Sequence, residues 1–544
     1  MFKKGKLISL ILAVLMLFAM VGCNASESGT TEETETQQVT TEQGSEPEET
    51  AQTEETAPET GALISEDPIT VTGWASFGNI PAELSSTITD MNDQLVWGVL
   101  AERTNVLIQW ENVSIADANT QLGIVMASGD LPDLFAGIAG SANKYGNEGS
   151  LLALEDLIEE YAPNLTGIME ENPAIKGQIT SPEGHIYFMP RLLLDESTQC
   201  FCNWYIRKDW LEIGGYTDVP EIITVDELYN VLLAVKSENP DAYPFIENIP
   251  AMIWNFGISA RGYNNGTDFF VEDGELKYGP TDSRYQDALV YLNNMYEAGL
   301  IDPEYVDMTY DMKKSKVLAG TGGLGFGSLG GALTAYNTLL EANDQEAQFV
   351  SVIIESNDGE TNSFGTHSYV DANLGCCISS TTEYAKEIVQ LADYIYSDEG
   401  SLLYNFGVEG ETFDIVDGNP VLNAETWGYA SQIVAYNSFA YIYAAESYLP
   451  NLSEEALKGN ELAQEYRGTK KIPILYFTDD ESNEITEITR DLNTYVDEYI
   501  NNFIMGKVSL DTYEEFQEGL KEIGCERLTE LYNTAYQRYL SAIN

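Results

Sequence analysis

The spacing of hydrophobic positions changes along the chain, and each change marks a new element. Leu7 to Val21 is almost continuously apolar. After a long polar tract, Ile69 to Trp74 alternates apolar and polar residues, the pattern of a half-buried strand. Met91, Leu95, Val99 and Leu100 fall at helical spacing, so a helix is expected over Met91 to Arg103. Val106 to Trp110 returns to strand, Thr120 to Ser128 reads as a second helix, and Leu134 to Ala136 as a short third strand. Strand, helix, strand, helix, strand predicts an α/β fold with a parallel sheet and right-handed crossovers. Further helical patterns fall at Leu151–Tyr161, Val225–Ser237, Ser283–Ala298 and Thr382–Tyr396. Three more close the chain, near Glu484–Ile504, Leu510–Ile523 and Arg527–Leu540. There is no internal repeat and no membrane-length apolar run.

The first apolar run changes the picture. Lys3, Lys4 and Lys6 precede it, and at about 15 residues it is too short to span a bilayer comfortably. It reads as a secretory signal peptide over residues 1–22. Met20-Val21-Gly22-Cys23 resembles the lipobox of bacterial lipoproteins. That resemblance implies cleavage before Cys23, a diacylglyceryl thioether on its sulfur, and a lipid-anchored, extracytoplasmic protein at the outer face of the membrane. The alternative is a plain secretory signal with an incidental cysteine. Residues 23–66 follow as a linker: Asn24 to Gly61 carries eleven glutamates and no lysine or arginine. Such a tract buries too little apolar surface to fold and acts as a spacer.

Charge narrows the partners. With 26 basic and 88 acidic residues the net charge is −62, which repels phosphate backbones and excludes nucleic acid as a partner. Only His185 and His367 are present, so histidine chemistry has little material. Cys200, Cys202, Cys376, Cys377 and Cys525 have spacings unsuited to bridging or to structural zinc, and buried free thiols are the plainest reading. Gly320 to Gly331 is glycine-dense but lacks the context of a phosphate-binding loop.

Several stretches together resemble the extracellular solute-binding proteins of bacterial ABC importers, in particular the carbohydrate-associated lipoproteins of Gram-positive bacteria. They are Ala127-Ser-Gly-Asp-Leu-Pro-Asp133, Tyr205-Ile-Arg-Lys-Asp-Trp-Leu211, the Thr224-x-Asp226-Glu227 run after Pro220, and Met295-Tyr-Glu-Ala-Gly-Leu-Ile-Asp-Pro303. Tyr394-x-Tyr-Ser-Asp-Glu-Gly400, Phe406-Gly-Val-Glu-Gly-Glu-Thr412 and Phe503-Ile-Met-Gly506 complete the series. The resemblance implies a two-lobed periplasmic-binding-protein-like fold with discontinuous lobes and hinge-crossing segments, one near Cys202–Ile206. Lobe one is expected at 67–202 plus 366–408, and lobe two at 203–365 plus 409–544. It also implies ABC permease subunits as partners, a monomer, no cofactor, and a small polar solute, most often an oligosaccharide. Peptides and other polar solutes stay open, and the few lysines and arginines disfavour highly anionic sugars. Many relatives carry an acidic calcium loop. Here Glu238-Asn-Pro-Asp-Ala-Tyr-Pro244 lacks its glycine and second acidic cluster, so neither calcium nor another metal is expected.

Saccharide recognition needs aromatic faces for C–H surfaces and planar polar groups for vicinal hydroxyls. Candidates are Trp74 and Asp130, Trp254, Asn255, Arg261 and Tyr263, Glu409, and Trp427. Each has a structural alternative: Trp74 as core, Asp130 and Asp133 as fasteners of their turn. Arg207 and Asp209 are expected to pair structurally, and Trp97, Trp110, Trp204 and Trp210 to lie in the core. No catalytic residues are assigned. A surface glycoside hydrolase would need only two carboxylates, which 88 acids always supply, but no hydrolase motif appears. A glycan-capture or sensor lipoprotein would share the fold and differ only in partners.

Overall fold

The structure is a computed structural model that describes residues 63–78, 84–246, 249–259, 267–356, 359, 368–423, 426, 430–435, 438–468 and 471–543. The expected signal peptide, Cys23 and nearly all of the expected linker lie outside the described residues. No helix of the described residues is long and apolar enough to cross a membrane.

In chain order the strands are β1 (Ile69–Ser76), β2 (Val106–Val113), β3 (Leu134–Ala136), β4 (Met189–Leu192), β5 (Cys202–Arg207), β6 (Ile222–Thr224), β7 (Phe269–Glu272), β8 (Glu275–Tyr278), β9 (Leu324–Ser328), β10 (Phe349–Glu355), β11 (Val370–Ile378), β12 (Phe413–Val416), β13 (Asn419–Leu422) and β14 (Tyr441–Ile442). Six form one sheet in the order β14-β4-β11-β3-β1-β2, and four form a second in the order β6-β10-β5-β9. The first three strands pair in parallel as their alternation predicts, with Ile69 opposite Val106 and Gly73 opposite Leu134. The intervening helices are Leu95–Thr104 and Ala118–Ser128. Gly73 is required there: a Cβ would lie 2.6 Å from the Trp110 ring and 2.9 Å from Ile108.

Each sheet has its own large apolar core. One gathers Trp74, Trp97, Trp110, Phe135, Phe188 and their neighbours, the other Trp204, Trp210, Phe245, Trp254 and Phe270. The expected core tryptophans Trp97, Trp110, Trp204 and Trp210 are all buried. One expectation needs correction. Residues 409–544 were assigned to lobe two, but β14 pairs with β4 in the six-stranded sheet, and Val434, Phe439 and Tyr441 belong to the first core. The chain therefore leaves the first sheet after Ile442 rather than near 408. A two-residue strand beyond the β12–β13 hairpin carries too little periodicity to be read from sequence.

After the helix Glu454–Glu465, the segment from Ile472 to Phe477 runs between the cores as a shared strap. Ile474 and Tyr476 pack on the first core, and Ile472, Leu475 and Phe477 on the second. The Tyr476 hydroxyl donates to the Gln178 carbonyl at 2.8 Å. Thr478 and Glu481 then form a capping box that starts the helix Asp479–Ile504. Arg538, on the helix Cys525–Ile543, locks this corner with hydrogen bonds to Glu481 (2.8 Å) and the Tyr476 carbonyl (3.1 Å). The Arg538 hydrogen bonds hold the Glu481 carboxyl below its usual range. A carboxylate lowered in the folded state adds stability above its unfolded pKa and loses it as pH falls through the folded value. Glu481→Gln is expected to cost about 1–2 kcal/mol at pH 7. In urea titrations that difference should shrink on acidification below about pH 4.5, the ordinary glutamate value.

Candidate functional site

The parallel strands β1, β3, β4 and β14 end on one edge of the six-stranded sheet, and β11, antiparallel to them, begins there. In the second sheet β6, β9 and β10 end on one edge where β5 begins. The links β4–β5 and β10–β11 each connect one of these edges to the other, and the chain leaving β14 departs from the carboxyl edge of the first sheet. The crossing links therefore join the carboxyl edges of both sheets, where open α/β sheets bind ligands.

An arginine sits at that junction among aromatic rings. Arg191, on β4, has a side chain only 8% exposed, and its guanidinium stands 4.3 Å from the Tyr443 ring centroid and 5.5 Å from that of Tyr441. Nη1 reaches Asp371, near the start of β11, at 3.5 Å, while Nε is buried with no hydrogen-bond partner. Tyr443 in turn lies 6.1 Å from Phe201 and 6.0 Å from Tyr448, and Phe201 meets Tyr448 edge-on at 5.6 Å. Phe201, Tyr443 and Tyr448 are half-buried. Burial raises the Tyr443 phenol, opposed by Arg191, and raises that of Tyr448 as well, so both stay neutral donors. The Tyr448 hydroxyl is itself buried, beside the Gly330 backbone. Leu329, opening a π-helical turn over Leu329–Thr334, donates its N–H to the Phe201 carbonyl at 2.8 Å. Aromatic faces beside a fixed guanidinium and neutral hydroxyls are the groups that saccharides require.

The structure does not gather the described sequence-derived candidates at this junction. Trp74 is 2% exposed, packs on Phe135 at 6.0 Å, and has an indole N–H with no hydrogen-bond partner. Asp130 is exposed at the entrance to β3, the opposite end of the sheet from the carboxyl edge. Its neighbour Asp133 fastens the turn, accepting from the Thr72 N–H (2.7 Å) and hydroxyl (2.8 Å) and from the Thr382 hydroxyl (2.7 Å). Trp254 and Asn255, at the end of the helix Ile249–Trp254, are 2% and 3% exposed in the second core. Glu409 is exposed and pairs its backbone with Phe413. Arg261, Tyr263 and Trp427 lie outside the described residues. Arg207 and Asp209 form the expected ion pair, at 3.0 and 2.7 Å. Sequence reading missed Arg191, Phe201, Tyr443 and Tyr448. The one trace of them is the Tyr441-x-Tyr443 alternation.

The cysteines are free thiols: Cys200, Cys376, Cys377 and Cys525 are buried and Cys202 half-buried. Burial pushes the Cys202 thiol up to about 11.

No family model matches the chain. By sequence it is 22% identical to the fructooligosaccharide ABC transporter substrate-binding protein FusA of Streptococcus pneumoniae, over 83% of this chain and 88% of that protein. It is 26% identical to the lipoprotein LipO of Bacillus subtilis, over 55% of this chain and 60% of LipO. Its fold matches an HMO-binding, ABC-transporter-associated solute-binding protein of Bifidobacterium longum infantis with a TM-score of 0.71 at 20% identity, covering 87% of this chain and 99% of that one. FusA and the Bifidobacterium protein are binding proteins rather than enzymes. The chain is thus a homologue of the substrate-binding proteins of ABC transporters and has their two-lobed α/β fold.

Proposed function

We propose that this protein captures an oligosaccharide between its two lobes and delivers it to an ABC permease, while held at the outer face of the membrane through lipid on Cys23. The observation that carries the reading is the Arg191–Tyr443–Phe201–Tyr448 cluster, set where the carboxyl edges of both sheets meet. The rings supply faces for sugar C–H groups, and Arg191 and the tyrosine hydroxyls supply donors. FusA's fructooligosaccharide makes that class the first to test. Capture at micromolar Kd needs only about −8 kcal/mol, within reach of two or three ring platforms and a few hydrogen bonds. The residues do binding work only, so no bond is cleaved.

A neutral-glycan panel, fructooligosaccharides included, is expected to yield one class that raises the melting temperature saturably. At a hundredfold excess over Kd the stabilisation is about 2.7 kcal/mol. The glycan should be recovered intact by chromatography. No shift across the panel, or a shortened glycan, overturns the reading.

A further inference from the structure

The carboxyl edge of the second sheet continues past the ring cluster. Phe201 stands just before β5, and on the neighbouring strand Ser356 follows the last residue of β10. Adjacent strands run about 5 Å apart, so the cluster and the end of β10 are neighbours along this edge. On the far side of β10, Tyr291 donates its hydroxyl to the Val225 carbonyl at 2.8 Å, and Val225 follows the last residue of β6. Ser356, Tyr291 and Phe256 line a cavity of about 450 Å3. The cavity thus lies at the carboxyl ends of β6 and β10, on the same edge as Phe201.

Its walls suit neutral, hydroxylated rings. Phe256 and Tyr291 meet edge-on with centroids 5.5 Å apart and give it an apolar surface. Helix Ser283–Glu297 contributes Asp287, Val290 and Asn294, all exposed and spaced about one turn apart. Asp287 and Asn294 carry planar polar groups of the kind that pair with vicinal hydroxyls. Arg284, one turn earlier, is already held by Asp282 at 2.8 Å and Glu272 at 3.0 Å. Its charge is matched and Asp287 adds a negative one, so the cavity does not attract an anionic solute.

We propose that this cavity is the far end of one elongated site, so that the protein selects neutral oligosaccharide chains over disaccharides. One end of the chain is held at Tyr443 and Phe201, and the following units pass the end of β10 to reach Asp287 and Asn294. The inference rests on the oligosaccharide reading and adds to it a length requirement and the residues that impose it.

Titration calorimetry with fructo-, malto- and cello-oligosaccharides, each as two-unit and six-unit chains, tests this. In a series that binds, the six-unit chain should bind roughly tenfold tighter than the two-unit chain, or better. Val290→Trp brings a large ring into the cavity from a helical position that is 41% exposed. It should melt as the parent does and bring the affinity ratio of the two lengths near one. Asn294→Ala, which removes one exposed amide, should lower the ratio a few-fold. Equal affinity for both lengths, or a parent-like ratio in both variants, overturns the length inference and leaves the oligosaccharide reading standing. No binding in any of the three series overturns the inference, and a silent glycan panel as well overturns the oligosaccharide reading with it.

Discussion

Replacing Tyr443 with alanine is expected to weaken binding of the preferred glycan by roughly 30- to 150-fold. That corresponds to about 2–3 kcal/mol, the size of a central aromatic contact. The ring has two functions that a smaller side chain cannot share. One face contacts the Arg191 guanidinium, and the ring also packs against Phe201 and Tyr448, which reach it from two other segments. Without it, Arg191 keeps, among the described residues, the Tyr441 ring and the long contact to Asp371, so its position is less well fixed. Tyr443→Phe retains both packing roles and removes only the hydroxyl, so a loss of about tenfold or less is expected. Calorimetric titration of the three proteins separates ring from hydroxyl. An unchanged Kd for Tyr443→Ala would move the site away from this junction.

The motifs that made the fold legible turn out to hold the backbone together. Asp133 joins the entrance of β3 to Thr72 on β1. Thr224 and Glu227 form the capping box of the helix Val225–Glu238. Asp302, after a left-handed Gly299, pairs with Lys316 at 2.6 Å. Arg207 clasps Asp209 and covers Trp210 at 5.7 Å. Such roles demand particular residues at fixed local spacing, which is what a sequence displays. The proposed cluster has no such spacing: Arg191 and Phe201 lie on one crossing of the chain between sheets, and Tyr443 and Tyr448 lie some 240 residues later on another. The apolar ring faces that make Trp74 and Trp254 candidate platforms also suit them to the core, where both are buried. Asp130 lies in a turn that enters β3 rather than leaving it, at the end of the sheet away from the carboxyl edge.

Gly400→Ala should be strongly destabilising, for reasons that tie a motif to the proposed site. Helix Ala385–Tyr396 is followed almost at once by helix Asp398–Phe406, with Ser397 at the corner. The Ser397 hydroxyl accepts from the Gly400 N–H at 3.1 Å and donates to the Tyr394 carbonyl at 2.6 Å, which draws the second helix hard against the end of the first. A Cβ at position 400 would lie 2.0 Å from the Tyr394 oxygen and 2.7 Å from the Ile395 Cα. Both are backbone atoms, so no rotamer change relieves the contact and the corner must open. About 3 kcal/mol is expected, the upper end of overpacking. Gly98 is the control: it is exposed in the helix Leu95–Thr104, with nothing within 4 Å of an added Cβ. Gly98→Ala should stabilise by about 0.5–1 kcal/mol. Denaturant midpoints at unchanged slope measure both. The corner also reaches the proposed site. Asn405, on the second helix, donates to the Ile442 carbonyl at 2.9 Å and accepts from the Ala444 N–H at 3.1 Å, gripping the backbone on either side of Tyr443. Gly400→Ala should therefore lose glycan affinity along with stability, whereas Gly98→Ala keeps it. A Gly400→Ala protein as stable as the parent would show that the corner relaxes without cost.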